Sequence, residues 1–294
     1  MYTCCNIKKF IKLLIIDMIV IMAAAFVFII SRTMKGSSAS ETDEPPVPLP
    51  VIMYHSVFGT EPSEYVITPE QLDSDLKWLS GHGFTAISAE ELVQYVYGKG
   101  KLPEKPVLIT FDDGHYNNLS VALPLFEKYD MRFIVSVVGR FTDSLAAADP
   151  HKSAYSYLTW KDISELIYSG RAEIGNHTYD MHSVSGKRNG CARINGESEE
   201  EYRKALSEDI LTTQNSLRNA CGYIPFVFAY PFGHISRESI PVLREMGFLV
   251  TLTCYERMNY ITRDPDCLFG LDRYNRSGLL STEEYMSKLL SEYK

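Results

Sequence analysis

Two carboxylates stand side by side in Thr110-Phe111-Asp112-Asp113-Gly114, directly after the apolar run Val107 to Ile109. Adjacent strand residues face opposite sides. Both acids therefore reach one site only if the chain turns, and Gly114 permits a turn. One acid can then hold a metal while its neighbour moves a proton. A solvated Asp-Gly turn is the plain alternative. Further along, Gly175-Asn176-His177-Thr178-Tyr179-Asp180-Met181-His182 carries two imidazoles five positions apart. That spacing does not share a helical face, but a loop after a strand can bring the rings together. Neutral imidazole is the commonest protein metal ligand. Two His and one Asp leave coordination positions open for water and substrate. Phe228-Ala229-Tyr230-Pro231-Phe232-Gly233 offers a rigid turn. The backbone N–H that follows Pro231 is suited to steady a developing oxyanion. Met53-Tyr54-His55-Ser56 places one more imidazole at the end of an apolar run.

The elements that must position these residues alternate in type. Val51–Tyr54, Val107–Phe111, Phe133–Val138, Glu173–Gly175, Phe226–Tyr230, Phe248–Leu252 and Leu268–Leu271 read as strands. Between and after them, Pro69–His82, Ala122–Tyr129, Trp160–Ser169, Glu199–Leu217, Ile240–Met246 and Ser281–Tyr293 carry helical spacing. Strands alternating with helices predict a parallel sheet built from βα units. About seven such units can close into an α/β barrel, where chemistry gathers at the ends of the strands. All four segments above lie at strand ends.

In this order the four segments resemble the polysaccharide deacetylases of carbohydrate esterase family 4, over most of residues 51–294. The T-F-D-D-G segment followed by His-Thr and a second His carries the resemblance. The V-I-M-Y-H-S-V opening and the H-T-x-x-x-H form are similar to the branch that includes poly-N-acetylglucosamine deacetylases. The resemblance implies a distorted (β/α)7 barrel and deacetylation of chitin, peptidoglycan or related polymers. It also implies a metal triad of Asp113, His177 and His182, with Asp112 as catalytic base and the Phe232 N–H in the oxyanion hole. Zinc suits two His and one Asp, and cobalt, nickel or iron are alternatives. Two departures stand out. The Arg usual before the prolines of the third motif is missing, and Arg273 in Leu271-Asp272-Arg273-Tyr274 is a candidate to hold the base instead. The late Leu-x-His motif is also missing, which leaves His55 as the proposed general acid. Tyr230 and Arg273 are expected on the substrate side of the site. A carbohydrate-binding pseudoenzyme and an O-acetyl esterase on another glycan are the alternative readings.

The 294 residues carry a net charge of -8, which argues against a nucleic-acid partner. Leu13 to Ile30 is apolar except for Asp17, with Lys8, Lys9 and Lys12 before it and Arg32 and Lys35 after it. That pattern predicts a membrane anchor with its N-terminus inside. The expected organisation is a cytoplasmic stub and anchor over 1–35, a Pro/Ser-rich linker over 36–50 and a catalytic domain over 51–294. The domain would then lie outside the cell on a single-pass anchor, facing an N-acetylated polysaccharide. Cys191, Cys221, Cys254 and Cys267 would share that side, with three pairings possible.

Overall fold

The computed structural model describes residues 44–184 and 186–293. The expected anchor over Leu13–Ile30 and the first part of the linker lie outside them. Among the described residues no helix is long and apolar enough to cross a membrane.

Thirteen strands occur in the described chain. They are β1 (Val47–Leu49), β2 (Val51–Tyr54), β3 (Ser56–Val57), β4 (Val66–Ile67), β5 (Thr85–Ile87), β6 (Pro106–Phe111) and β7 (Phe133–Val137). Then come β8 (Ala172–Asn176), β9 (Val227–Ala229), β10 (Val250–Leu252), β11 (Asn259–Ile261), β12 (Phe269–Leu271) and β13 (Tyr274–Asn275). Nine form one parallel sheet in the order β12-β10-β9-β8-β7-β6-β2-β13, with β5 beside the first half of β6. The sheet curls as a half-barrel rather than closing as seven units. Its two outer strands, β12 and β13, are separated only by Asp272 and Arg273. Parallel neighbours need a crossover of a dozen or more residues, so these two strands cannot lie side by side.

Strand parity sorts the side chains into layers. Val107, Ile109 and Phe111 of β6, and Phe133, Val135 and Val137 of β7, pack with the helices in one apolar cluster. Leu108, Ile134, Val227, Ala229, Val250 and Leu252 form a second cluster on the opposite face of the sheet. Every residue of β6 is buried, as expected of a parallel strand covered on both faces.

The helices begin where their sequences provide caps. Thr68 with Gln71, Ser88 with Glu91, Thr159 with Asp162, Ser198 with Glu201 and Ser281 with Glu284 are reciprocal capping boxes. The second opens the helix Ala89–Val96, which together with β5 fills a stretch where hydrophobic spacing gave no expectation. The long helix Glu199–Cys221 runs four residues past its expected end and stops at Gly222, which is left-handed at φ 67.

The folded unit begins at Glu44, inside the expected linker. Val47–Leu49 pairs antiparallel with β11, and a two-stranded ribbon of this kind tolerates Pro48 at its edge. The four cysteines of this unit are free thiols.

Candidate functional site

The parity that carries Leu108 into the inner face carries Thr110 and Asp112 there too. Asp113 would then point away, but it adopts φ 71 and Gly114 adopts φ 72. Two consecutive left-handed residues fold the chain back, so both carboxylates address the same site. Opposite them, His177 follows β8 and its N–H donates to the Val137 carbonyl at 3.0 Å. Its Nδ1 bonds the Ala229 carbonyl at 2.7 Å. That contact assigns the proton to Nδ1 and turns Nε2 toward the acids, 3.7 Å from Asp113 Oδ1 and 3.9 Å from Asp112 Oδ2. His182 Nε2 lies 3.1 Å from the same Asp113 oxygen. One ligand atom each from Asp113, His177 and His182 falls within 4.8 Å of the others. An acid oxygen shared by two imidazole nitrogens, one of them fixed by a carbonyl behind it, fits a divalent cation with two His and one Asp. Burial holds the His177 imidazole down at about 4, so it is neutral and able to ligate.

Asp112 is handled differently. It is 2% exposed, and Arg273, which is fully buried, grips it with two parallel bonds of 2.7 Å. Burial alone would raise the carboxyl, but the charge of Arg273 and its hydrogen bonds hold it below its ordinary value. Arg273 is itself fixed by the Thr253 carbonyl at 2.6 Å and by Thr110 Oγ at 3.2 Å. The guanidinium thus comes from the link between β12 and β13, from the inner face. Asp113 is only partly buried, and although that burial would raise its carboxyl, bonds to His115 and His182 hold it well below the usual range.

Phe232 has φ 56 and is 45% exposed. Its ring packs at 4.6 Å from that of His182. The next two N–H groups, of Gly233 and His234, donate to the carbonyls of Tyr230 and Pro231. The N–H of Phe232 meets no acceptor among the described residues. Gly190 backs this turn: a Cβ there would sit 2.6 Å from the Pro231 carbonyl oxygen. His55 has a buried Nδ1 without a partner among the described residues. Burial lowers its pKa, against the opposing charges of Asp113 and Asp112.

Two residues expected on the substrate side are placed otherwise. The Tyr230 side chain is 1% exposed and its hydroxyl bonds Ser239 Oγ at 2.7 Å. Arg273 is enclosed around Asp112. Neither side chain presents surface to a polymer, because parity and the strand ends turn both into the core.

Two other residues belong to the site without having been singled out. His115 Nε2 lies 3.6 Å from the second oxygen of Asp113, and its place directly after the D-D-G turn was its only signal. Asp209, on the helix Glu199–Cys221, accepts the N–H of Tyr179 at 2.7 Å and of Asp180 at 2.8 Å. One turn on, Thr213 Oγ donates to the Thr178 carbonyl at 2.9 Å. The loop between the two imidazoles is thereby clamped to one helix, and nothing in the sequence near Asp209 marks it.

The family model described as polysaccharide deacetylase matches residues 99–251. A protein of Bacillus subtilis strain 168 described as a polysaccharide deacetylase is 26% identical over 224 residues, covering 76% of this chain and 71% of that one. The poly-β-1,6-N-acetyl-D-glucosamine N-deacetylase of Escherichia coli K12 is 24% identical over 195 residues, 60% of this chain but only 29% of that enzyme. Among solved structures, a de-N-acetylase from Aggregatibacter actinomycetemcomitans is similar in fold, with a TM-score of 0.68 at 22% identity. That match covers 83% of this chain and all of the other.

Proposed function

The chain belongs to the polysaccharide deacetylase family, carbohydrate esterase family 4, and from that premise we propose that it hydrolyses N-acetyl groups from an N-acetylglucosamine polymer outside the cytoplasm. The observation that carries the reading is the division of labour between two adjacent acids. Asp113 joins His177 and His182, while Asp112 stays outside that set, gripped by Arg273.

Asp113, His177 and His182 would hold a divalent cation, most simply zinc, which would supply Lewis acidity toward water and the acyl oxygen. Asp112, kept ionised by Arg273, takes the proton of the attacking water. The Phe232 N–H donates to the acyl oxygen as charge develops on it. The proton that Asp112 takes is passed on to the departing amine, with His55 assigned to deliver it. Acetate and a free amino sugar leave. The relatives named for poly-β-1,6-N-acetyl-D-glucosamine support that polymer as substrate. We assign the anchor to Leu13–Ile30, with residues 44–293 on the outer side. Protease added to intact cells should digest that part, and its protection would rule the orientation out.

The test of activity is acetate release by the full chain after chelation and after zinc is restored. Substrates are β-1,6- and β-1,4-linked N-acetylglucosamine oligomers, peptidoglycan and acetylated xylan. Zinc-restored release from an N-acetylated oligomer is expected. Release from xylan alone would turn the reading to an ester substrate. A zinc-loaded protein that releases nothing from any of them would leave a binding role.

A further inference from the structure

Arg273 grips Asp112 from a stretch of chain that has no ladder of its own. β12 ends at Leu271 and β13 begins at Tyr274, so the backbone groups of Asp272 and Arg273 need partners from elsewhere. The Arg273 N–H finds the Tyr255 carbonyl at 2.9 Å. Both backbone groups of Asp272 go to one side chain, that of Asn259 in β11. Asn259 Oδ1 accepts the Asp272 N–H at 2.8 Å, and Asn259 Nδ2 donates to the Asp272 carbonyl at 2.8 Å. The same nitrogen donates to the Leu49 carbonyl at 3.2 Å, across the ribbon with β1. Both donors of the amide and its acceptor oxygen are thus engaged. The grip on Asp272 decides where its neighbour points. The link makes neither turn nor bend, so consecutive side chains take opposite sides. Asp272 is turned to Thr253, whose hydroxyl donates to its Oδ1 at 2.6 Å. Arg273 is thereby turned the other way, onto Asp112. A slip of one residue would exchange the two and set a carboxylate against Asp112 in place of a guanidinium.

We propose that Asn259 is a positioning residue for deacetylation: by holding Asp272 at both its N–H and its carbonyl, it fixes the register in which Arg273 meets Asp112. The inference rests on the deacetylase reading and adds to it a group that acts only through Arg273. Asn259 is uncharged and bonds none of Asp113, His177 and His182. Its loss should therefore disturb the grip on Asp112 and spare the cation site.

The test is a double-mutant cycle on the zinc-loaded full chain, read by acetate release from the trimer of N-acetylglucosamine. Asn259→Leu nearly keeps the size of the side chain and removes all three bonds. In the parent background kcat should fall by about 10–100-fold, the scale of a displaced supporting group. KM and zinc affinity should stay within about twofold. In an Arg273→Met background the same substitution should change kcat by less than about twofold, because the group it positions is gone. A loss of equal size in both backgrounds, a loss carried by KM, or an unchanged kcat overturns the assignment. Asn259→Ser, too short to span both groups of Asp272, takes the place of Asn259→Leu if the latter does not melt cooperatively. If the parent releases no acetate, the deacetylase reading fails by itself. In that case, or if Arg273→Met gives no measurable turnover, solvent exchange of the Arg273 Nε hydrogen, followed by NMR, decides the positioning role. Exchange faster by about tenfold in the Asn259 variant, the scale of one lost hydrogen bond, supports it. An unchanged exchange rate overturns it.

Discussion

Asp112 and Asp113 are the same residue type one peptide apart, and their neighbours make them different reagents. Asp113 shares one oxygen between two imidazoles, whereas both oxygens of Asp112 are taken by a single guanidinium. Asp113→Ala should therefore abolish zinc binding and acetate release together. Asp112→Asn should keep zinc affinity within a few-fold while turnover falls by roughly 10²–10⁴, the usual weight of a general base. Chelator competition beside an acetate assay separates the two, and a fully active Asp112→Asn protein removes Asp112 from the mechanism. Arg273 sets when Asp112 is ionised. Its charge is what holds the buried acid below its ordinary pKa, so Arg273→Met should raise that pKa. A base works only when ionised, so the acidic limb of the kcat/KM profile should move to higher pH. The same variant leaves a buried charge unpaired, at a cost of about 3–5 kcal/mol of stability. An acidic limb that stays in place would show that Arg273 is only a packing group.

The elements do their positioning through a few short contacts. The imidazole loop hangs from the helix Glu199–Cys221 by Asp209, with Thr213 one turn further on. Asp209→Ala should free that loop and weaken zinc binding by about 10–100-fold, the range seen when groups behind metal ligands are removed. Excess zinc should restore most of the turnover; unchanged affinity by chelator competition would make Asp209 a structural residue only. This clamp also marks where sequence reading stops. The strands were legible because β6 and β7 are apolar runs of the right length, and most helices because their apolar spacing is regular. The acid pair and the two imidazoles were legible as types and spacing. Asp209 lies in a polar helix and acts on backbone N–H groups, so no pattern of side chains points to it. The enclosure of Tyr230 and Arg273 is likewise set by the face each strand end presents, and a one-residue difference in strand end reverses that face. The open seam had a signal in the two residues that separate β12 from β13.

At the scale of the whole molecule, the inner face carries an acid at each end. Glu173 has the parity of Gly175 and His177 but lies toward the start of β8. There it accepts the N–H of Ala89 at 2.5 Å and of Glu90 at 3.1 Å. Burial pushes its carboxyl up from 4.5 to about 7. Between those values the unfolded chain has released a proton that the folded chain retains. Stability therefore falls as pH rises from about 4.5 to about 7, by up to about 3 kcal/mol. Glu173→Gln should flatten that decline in urea melts across the window, and an unchanged slope would remove Glu173 as its source. Two buried ion pairs meanwhile join distant stretches of chain: Arg273 reaches Asp112 across 161 residues, and Arg276 reaches Asp75 across 201. Their order of appearance during synthesis follows from those separations. The acids emerge first, and each stays without its counter-ion until the segment around 273–276 has left the ribosome. A chain stopped at residue 271 should lack a cooperative melt and be cut readily by protease. The growing chain therefore cannot hold Asp112 ready for chemistry until Arg273 has been added, and the inner face is completed only once nearly all of residues 44–293 has been made.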